Sequence, residues 1–308
     1  MRILRDLSSC GPLKGHLMGQ LMPVAKSSQT ISDALHTATT LLSRSSPSAR
    51  LDAELLLEYV TGLSRTSFRA MPERELPVNA GWSFQQLVKR RAQGEPVAYI
   101  RQQQEFWSLL LEVSPAVLIP RPETELVVER ALTHIDANAP ARVADLGTGS
   151  GAIAVAIASE RPKSTVIAVD TSKEALEIAS RNIGRLQLAN VSLLQGSWFA
   201  ALAGQRFALI ASNPPYIGQD DPDLAPEVRR HEPSVALISG KTGLEALDVI
   251  VREAPAHLQA GGWLVLEHGW KQADAVRQRL VRQGFVHVRS HADLAGHERV
   301  TEGQFGSG

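Results

Sequence analysis

The 308-residue chain holds a single cysteine, Cys10, which excludes an internal disulfide and any cysteine-built metal site and fits a reducing cytoplasm. It has no apolar run near the roughly 18 residues that a membrane-crossing helix needs. It has no excess of either charge, with Lys plus Arg and Asp plus Glu at 32 each. A basic excess drives nonspecific phosphate binding, so its absence counts against a nucleic-acid substrate. The nine histidines are scattered, with no His-x-x-x-His pair in a helical context, and no metal is expected. What remains is a chain 44% hydrophobic, enough for cores, and long enough for two domains.

The organisation changes along the chain. Residues 1–28 are basic and irregular, with Arg2, Arg5, Lys14 and Lys26 against Asp6 and with Gly11-Pro12 breaking any helix. They read as a disordered leader rather than a secretory signal, with Met18 and Met22 as alternative starts. Over residues 29–93, apolar residues recur at three- and four-residue spacing: Ile31, Ala34, Leu35, Ala38, Leu41 and Leu42, then Ala53, Leu56, Leu57 and Val60, then Phe84, Leu87 and Val88. That is a small helical bundle, either plain packing or a substrate-docking domain. Over residues 94–118, the strand-like runs Gly94 to Ile100 and Glu105 to Val113 are expected to pair as a linking β-hairpin. In Ile119-Pro-Arg-Pro-Glu-Thr-Glu125 an extended proline segment gives way to a helix, with Thr124 near its cap. Residues 119–308 alternate helices with strands near Arg142, Thr165–Asp170, Val191–Leu194, Phe207–Ser212, Gly262–Glu267, Gly284–Arg289 and Val300–Phe305. The pattern predicts an α/β fold with a mainly parallel, doubly wound sheet.

Two motifs carry chemistry. Asp145-Leu-Gly147-Thr148-Gly149-Ser150-Gly151 lies between a strand and the helix-forming stretch Ala152 to Ala158, and Asp170 ends the next strand about 20 residues on. Glycines let the backbone approach a nucleoside ligand, and Asp170 is placed to take ribose hydroxyls. Asp145 decides between cofactors: a carboxylate there repels a pyrophosphate but suits the ammonium and sulfonium of S-adenosyl-L-methionine, which we favour over NAD. The second motif is Asn213-Pro214-Pro215-Tyr216, after the apolar run Phe207 to Ala211. Consecutive prolines fix φ and hold Asn213 and Tyr216 in a preset relation. An Asn carboxamide and donor-less carbonyls accept the hydrogens of an NH2 group, and a Tyr ring stacks on a planar one. Both motifs fall at carboxyl ends of strands, where open α/β sheets bind ligands.

At this point the chain resembles the bacterial protein-(glutamine-N(5)) methyltransferases that modify peptide chain release factors, the PrmC/HemK type, from about Ile31 to Phe305. The ordered set Glu105-Phe-Trp-Ser-Leu109, Leu118 to Glu125, Asp145 to Gly151, Ser212 to Ile217, Glu232-Pro233, Gly243-Leu244 and Glu298 to Thr301 carries the resemblance. It implies a Rossmann-like class I S-adenosylmethionine-dependent methyltransferase domain, joined by a hairpin to an N-terminal helical domain. The implied substrate is the glutamine of a Gly-Gly-Gln loop in class I release factors, met in the cytoplasm. Gly147 to Gly151 would hold the methionine part of the cofactor, Asp170 the ribose, Trp198 the adenine surroundings, and Asn213 to Tyr216 the glutamine amide. Phe106, Arg121 and Glu123 would wall the substrate pocket. Two positions depart from the family's pattern: Ser197 where Asp is frequent, and Gln102 where a turn glycine is frequent. The alternatives are a ribosomal-protein glutamine methyltransferase, an adenine-N6 nucleic-acid methyltransferase using the same clamp, and a non-catalytic adaptor.

Overall fold

The computed structural model describes residues 29–222 and 224–306, so the leader expected over residues 1–28 lies outside the described residues. The N-terminal helices are α1 (Ile31–Leu42), α2 (Ala49–Thr61), α3 (Arg65–Ala70) and α4 (Val78–Ala92). Thr30 caps α1 by accepting the Asp33 N–H, and Gly62 ends α2 in the left-handed conformation. The apolar stripes meet in a core that includes Ile31, Leu35, Leu42, Leu56, Leu57 and Phe84. The buried Arg91–Asp52 pair, at 2.7 Å, ties α4 to α2.

The linker differs from the sequence expectation. Its first run ends in a short helix, α5 (Val97–Arg101), and the hairpin forms beyond it, as β1 (Gln103–Phe106) and β2 (Leu109–Glu112). The reason is packing on more than one side. Ile100 enters the N-terminal helical core, whereas Ala98 and Tyr99 pack with Val113, Val117 and Ile119, which a two-sided strand cannot arrange. Gln102 ends α5 at φ 56°, so this position, where the resemblance led us to expect a turn glycine, is a helix stop and not the hairpin turn. The turn is Trp107-Ser108, both at positive φ as a two-residue hairpin requires. Neither residue favours that conformation. Trp107 is held instead by Glu125, which accepts its backbone N–H at 2.7 Å, and by Glu160, which accepts its indole N–H at 3.0 Å.

The larger layer follows: α6 (Glu125–Thr133), β3 (Arg142–Leu146), α7 (Ala152–Glu160), β4 (Thr165–Asp170), α8 (Lys173–Arg185), β5 (Val191–Gln195), β6 (Phe207–Ser212), α9 (Pro226–His231), α10 (Glu245–His257), β7 (Leu258–Glu267), α11 (Ala273–Arg282), β8 (Phe285–Ala292) and β9 (Glu298–Phe305). Seven strands form one sheet in the order β5-β4-β3-β6-β7-β9-β8, parallel except for β9, which runs antiparallel to both neighbours. One apolar core lies where α6 and α7 cover the sheet, and a second where α10 and α11 do. Every residue from Ala152 to Ala158 is buried, so α7 is enclosed on all sides and carries no polar stripe. From β3 the chain winds outward to β4 and β5, then crosses back to β6. That reversal between β3 and β6 opens a crevice at their carboxyl ends.

A buried carboxylate fastens the antiparallel edge. Glu302 on β9 is 0% exposed and accepts from Arg130 at 3.1 and 3.3 Å and from His134 at 3.0 Å, with His291 3.1 Å away. Burial alone would raise its pKa, but the bonds from His134, Arg130 and His291 outweigh that and hold it at about 2, against 4.5 for a free Glu. A depressed carboxylate pKa adds stability above the unfolded value, lost as pH falls through the folded one. Glu302→Gln should therefore cost roughly 3 kcal/mol at pH 7 by chemical denaturation, with more than half of that gap closed by pH 3. A gap independent of pH would assign the residue to packing and not to charge.

Candidate active site at the carboxyl ends of the central strands

Gly147, Gly149 and Gly151 all sit at positive φ in the loop from β3 to α7. The positive φ is what calls for glycine; a Cβ on Gly147 would only touch the Trp198 ring at 3.4 Å, and one on Gly151 would sit tightly, 3.3 Å from Ala179. The loop is tied to β4, because Val169 O accepts the Gly147 and Thr148 N–H groups at 2.8 and 3.0 Å. Asp170, at the end of β4, accepts Gly149 N–H and Ser172 N–H, each at 2.9 Å. Asp145 is fully buried; its Oδ2 accepts from Thr148 Oγ1 at 2.6 Å and Ala154 N–H at 3.2 Å, while Oδ1 has no partner. Burial, with the nearby Asp170 charge adding to it, pushes the Asp145 pKa up to about 7 despite those two bonds. Above this loop opens a cleft of about 380 Å³ lined by Gly147 to Ser150, Asp170, Ser197, Trp198 and Asn213.

Asn213 follows β6, whose last residue, Ser212, donates to Leu146 O on β3 at 2.7 Å. It lines this cleft and also a second one of about 540 Å³, walled by Arg121, Tyr216, Trp270, Gln272 and Arg299. Asn213, with Leu118 and Ala236, thus forms the wall that the two clefts share. Its Nδ2 donates to Thr124 Oγ1 at 3.1 Å. The Tyr216 hydroxyl donates to Glu267 Oε1 at 3.1 Å, and Tyr216 O accepts from Gln272 Nε2 at 3.0 Å. Burial, and next the Glu267 charge, raise the Tyr216 pKa, so the phenol stays a donor. Pro214 is buried, and Pro215 lines the first cleft.

The remaining expected residues divide. Arg121 lines the second cleft and is ion-paired to Glu232, whose Oε2 accepts Ile119 N–H at 3.2 Å, pinning the proline segment to the chain beyond the clamp. Glu123, expected to wall the substrate pocket, is a correction, for it lines neither cleft. Phe106 is a correction: it is 2% exposed, joins the core with Leu111, Val127 and Val128, and walls neither cleft, because the tight hairpin turns it inward. Thr124 stands at the N-cap position of α6, as expected, but makes no side-chain cap there; its hydroxyl accepts from Asn213 instead. Glu267 and Gln272 escape the sequence reading. The signal for Glu267 is the one that finds Asp145 and Asp170, an acid at the end of an apolar strand. Among the described residues no group of His, Cys, Asp or Glu is arranged to hold a metal, and no helix is long and apolar enough to cross a membrane.

Residues 33–101 match the PrmC N-terminal domain model and residues 125–228 the methyltransferase small domain model. The chain is 52% identical over 260 residues to a release factor glutamine methyltransferase of Pseudomonas aeruginosa, covering 84% of this chain and 94% of that one. It is 47% identical over 262 residues to the one from Escherichia coli, covering 85% and 94%. This chain belongs to the release factor glutamine methyltransferases. A solved release-factor-specific protein-(glutamine-N5) methyltransferase from Alicyclobacillus acidocaldarius is 32% identical, covers 64% of this chain and 99% of that one, and superposes at TM-score 0.39; the family assignment comes from the sequence relatives. The family's glycine loop and Asn-Pro-Pro-Tyr segment are the two walls described above. Its Gly243-Leu244 pair acquires a physical reason as well, for a Cβ on Gly243, at φ +78°, would stand 2.3 Å from Tyr216 O. Gly243→Ala should displace Tyr216 and cost about 1–3 kcal/mol, seen as a lower unfolding midpoint together with weakened methyl transfer. An unchanged midpoint and rate would show that the chain there gives way freely.

Proposed function

We propose that this enzyme transfers the methyl group of S-adenosyl-L-methionine to the side-chain amide nitrogen of the glutamine in the Gly-Gly-Gln motif of class I peptide chain release factors. The observation that carries this reading is the place of Asn213, on the wall shared by a glycine-floored cleft and a second, wider one. The first cleft fits the cofactor: its floor is a loop whose three glycines hold positive φ, and beneath it Asp145 Oδ1 is buried without a partner. Gly147, Thr148, Gly149, Ser150 and Gly151 would hold the methionine part over Asp145, Asp170 the ribose hydroxyls and Trp198 the adenine. When bound, the cofactor supplies an electrophilic methyl on a good sulfonium leaving group.

The residues of this chain supply position. An amide nitrogen is a poor nucleophile because its lone pair is delocalised into the carbonyl. Asn213 Oδ1 and the Pro214 carbonyl accept its two N–H groups, turning the nitrogen toward the first cleft, while the Tyr216 ring holds the amide plane. Such orientation supplies roughly 7–11 kcal/mol in favourable cases. Arg121, Trp270 and Arg299 line the approach for the peptide loop. The balanced charge of the chain supports a protein substrate over a duplex, and the cytoplasm is where that substrate would be met.

Labelled methyl from S-adenosylmethionine should appear on purified release factor and not on the factor with its Gly-Gly-Gln glutamine replaced. Asn213→Ala should lose at least 100-fold in kcat with cofactor affinity little changed; equal loss of both would overturn the role given to Asn213. If Asp145 faces the cofactor's positive charge, affinity measured by calorimetry should weaken as pH falls below about 7, where Asp145 takes up a proton. A flat profile would leave Asp145 only its bonds to Thr148 and Ala154.

A further inference from the structure

Gln272 stands at the N-cap of α11 and lines the second cleft, and the function proposed above gives it no part. Its carboxamide joins three stretches of backbone. Oε1 accepts the Gly269 N–H at 2.9 Å, and Nε2 donates to Tyr216 O at 3.0 Å and to Gly243 O at 3.4 Å. All three partners are main-chain atoms with a fixed donor or acceptor character, so the amide has one orientation. A carboxylate cannot donate, and an apolar side chain can do neither. Glycines make the room: a Cβ on Gly243 would lie 3.0 Å from Gln272 Nε2, and one on Gly269 would lie 3.1 Å from Gln272 Oε1. The turn is closed in both directions, for the Gln272 N–H donates to Gly269 O at 2.8 Å.

We propose that Gln272 is a positioning residue of the methyltransferase site: its amide clips the Tyr216 carbonyl to the turn after β7 and so sets where the Tyr216 ring stands in the second cleft. This rests on the function proposed above and adds a residue to it. The clamp needs an anchor from outside, because Pro214 and Pro215 have no N–H with which to fasten themselves. Beyond the clamp the chain is well tied, with Ile217 N–H donating to Leu237 O at 3.0 Å and Ser239 N–H to Ile217 O at 2.9 Å. Tyr216 is then gripped at both ends by one turn, its hydroxyl donating to Glu267 Oε1 at 3.1 Å and its carbonyl accepting from Gln272. Neither Tyr216 nor Gln272 lines the cleft given to the cofactor, so the clip acts on the substrate side.

Gln272→Glu keeps the shape and removes the donor. Its carboxylate still accepts from Gly269 but sets an oxygen against the Tyr216 and Gly243 carbonyls, which pushes the clamp aside. The expected result is a fall in kcat of about 10²-fold, with cofactor Kd within about twofold of wild type. Gln272→Leu, which brings no charge into the slot, should lose about tenfold in kcat with the cofactor Kd again unchanged. The chain has three tyrosines, Tyr59, Tyr99 and Tyr216, so labelling with meta-fluorotyrosine gives three fluorine resonances, and Tyr216→Phe assigns the one from Tyr216. That resonance should move in both variants while the other two stay, which reports the clip without any assay. Wild-type kcat in both variants, an unmoved Tyr216 resonance, or cofactor affinity lost in step with kcat would overturn the assignment. Should Gln272→Glu fail to fold, Gln272→Leu decides alone. A wild-type enzyme that leaves release factor unlabelled contradicts the substrate reading alone, and the Tyr216 resonance then decides the clip.

Discussion

The parallel pairing of β3 with β6 is the constraint on which the site depends. The two strands are far apart in sequence and adjacent in space, with Leu146 opposite Ser212 and the Ser212 hydroxyl bonded across to Leu146 O at 2.7 Å. The residues that follow therefore leave the sheet side by side. One chain turns into the glycine loop and the other into the double proline, and neither has the freedom to drift. A register slip of one residue would point Asp145 and Ser212 to the opposite face and separate the motifs. The neighbouring strands extend the arrangement, β4 delivering Asp170 to one side and β7 delivering Glu267 to the other. Four polar side chains thus stand at four carboxyl ends in a row.

This explains why so much was legible. Glycine spacing, a paired proline and strand-like runs report local backbone, and the site is made of chain ends whose direction the strands dictate. The parallel sheet, the glycine cradle and the place of Asn213 all follow from that. The hidden parts are those fixed by distant partners. The run Val97 to Ile100 has strand-like composition, yet it is helical because Tyr99 and Ile100 are drawn into different cores and the Tyr99 hydroxyl donates to Val117 O at 2.7 Å. Trp107-Ser108 has no turn-forming composition, yet it turns because Glu125 and Glu160 receive its donors. Phe106 looked like a pocket wall by its motif and is core by its burial. Thr124 reads as a helix cap on local grounds, and its hydroxyl goes 89 residues along the chain to Asn213.

The three buried acids of the sheet show how environment separates structure from site. Glu302 is as buried as Asp145, but cationic and imidazole donors surround it, and its pKa falls to about 2. Asp145 and Glu267 each keep one oxygen without a full hydrogen bond, and each is pushed up to about 7. A buried polar atom left without a partner costs about 1–3 kcal/mol, so a sheet selected for stability alone would have paired or replaced both. Glu302 lies on the antiparallel part of the sheet, where its donors come from α6 and β8. Asp145 and Glu267 flank β6 on its two sides, under the glycine loop and behind the clamp. The unsatisfied pair lies at the crevice end of the sheet, and the satisfied acid lies where the sheet is tied to α6.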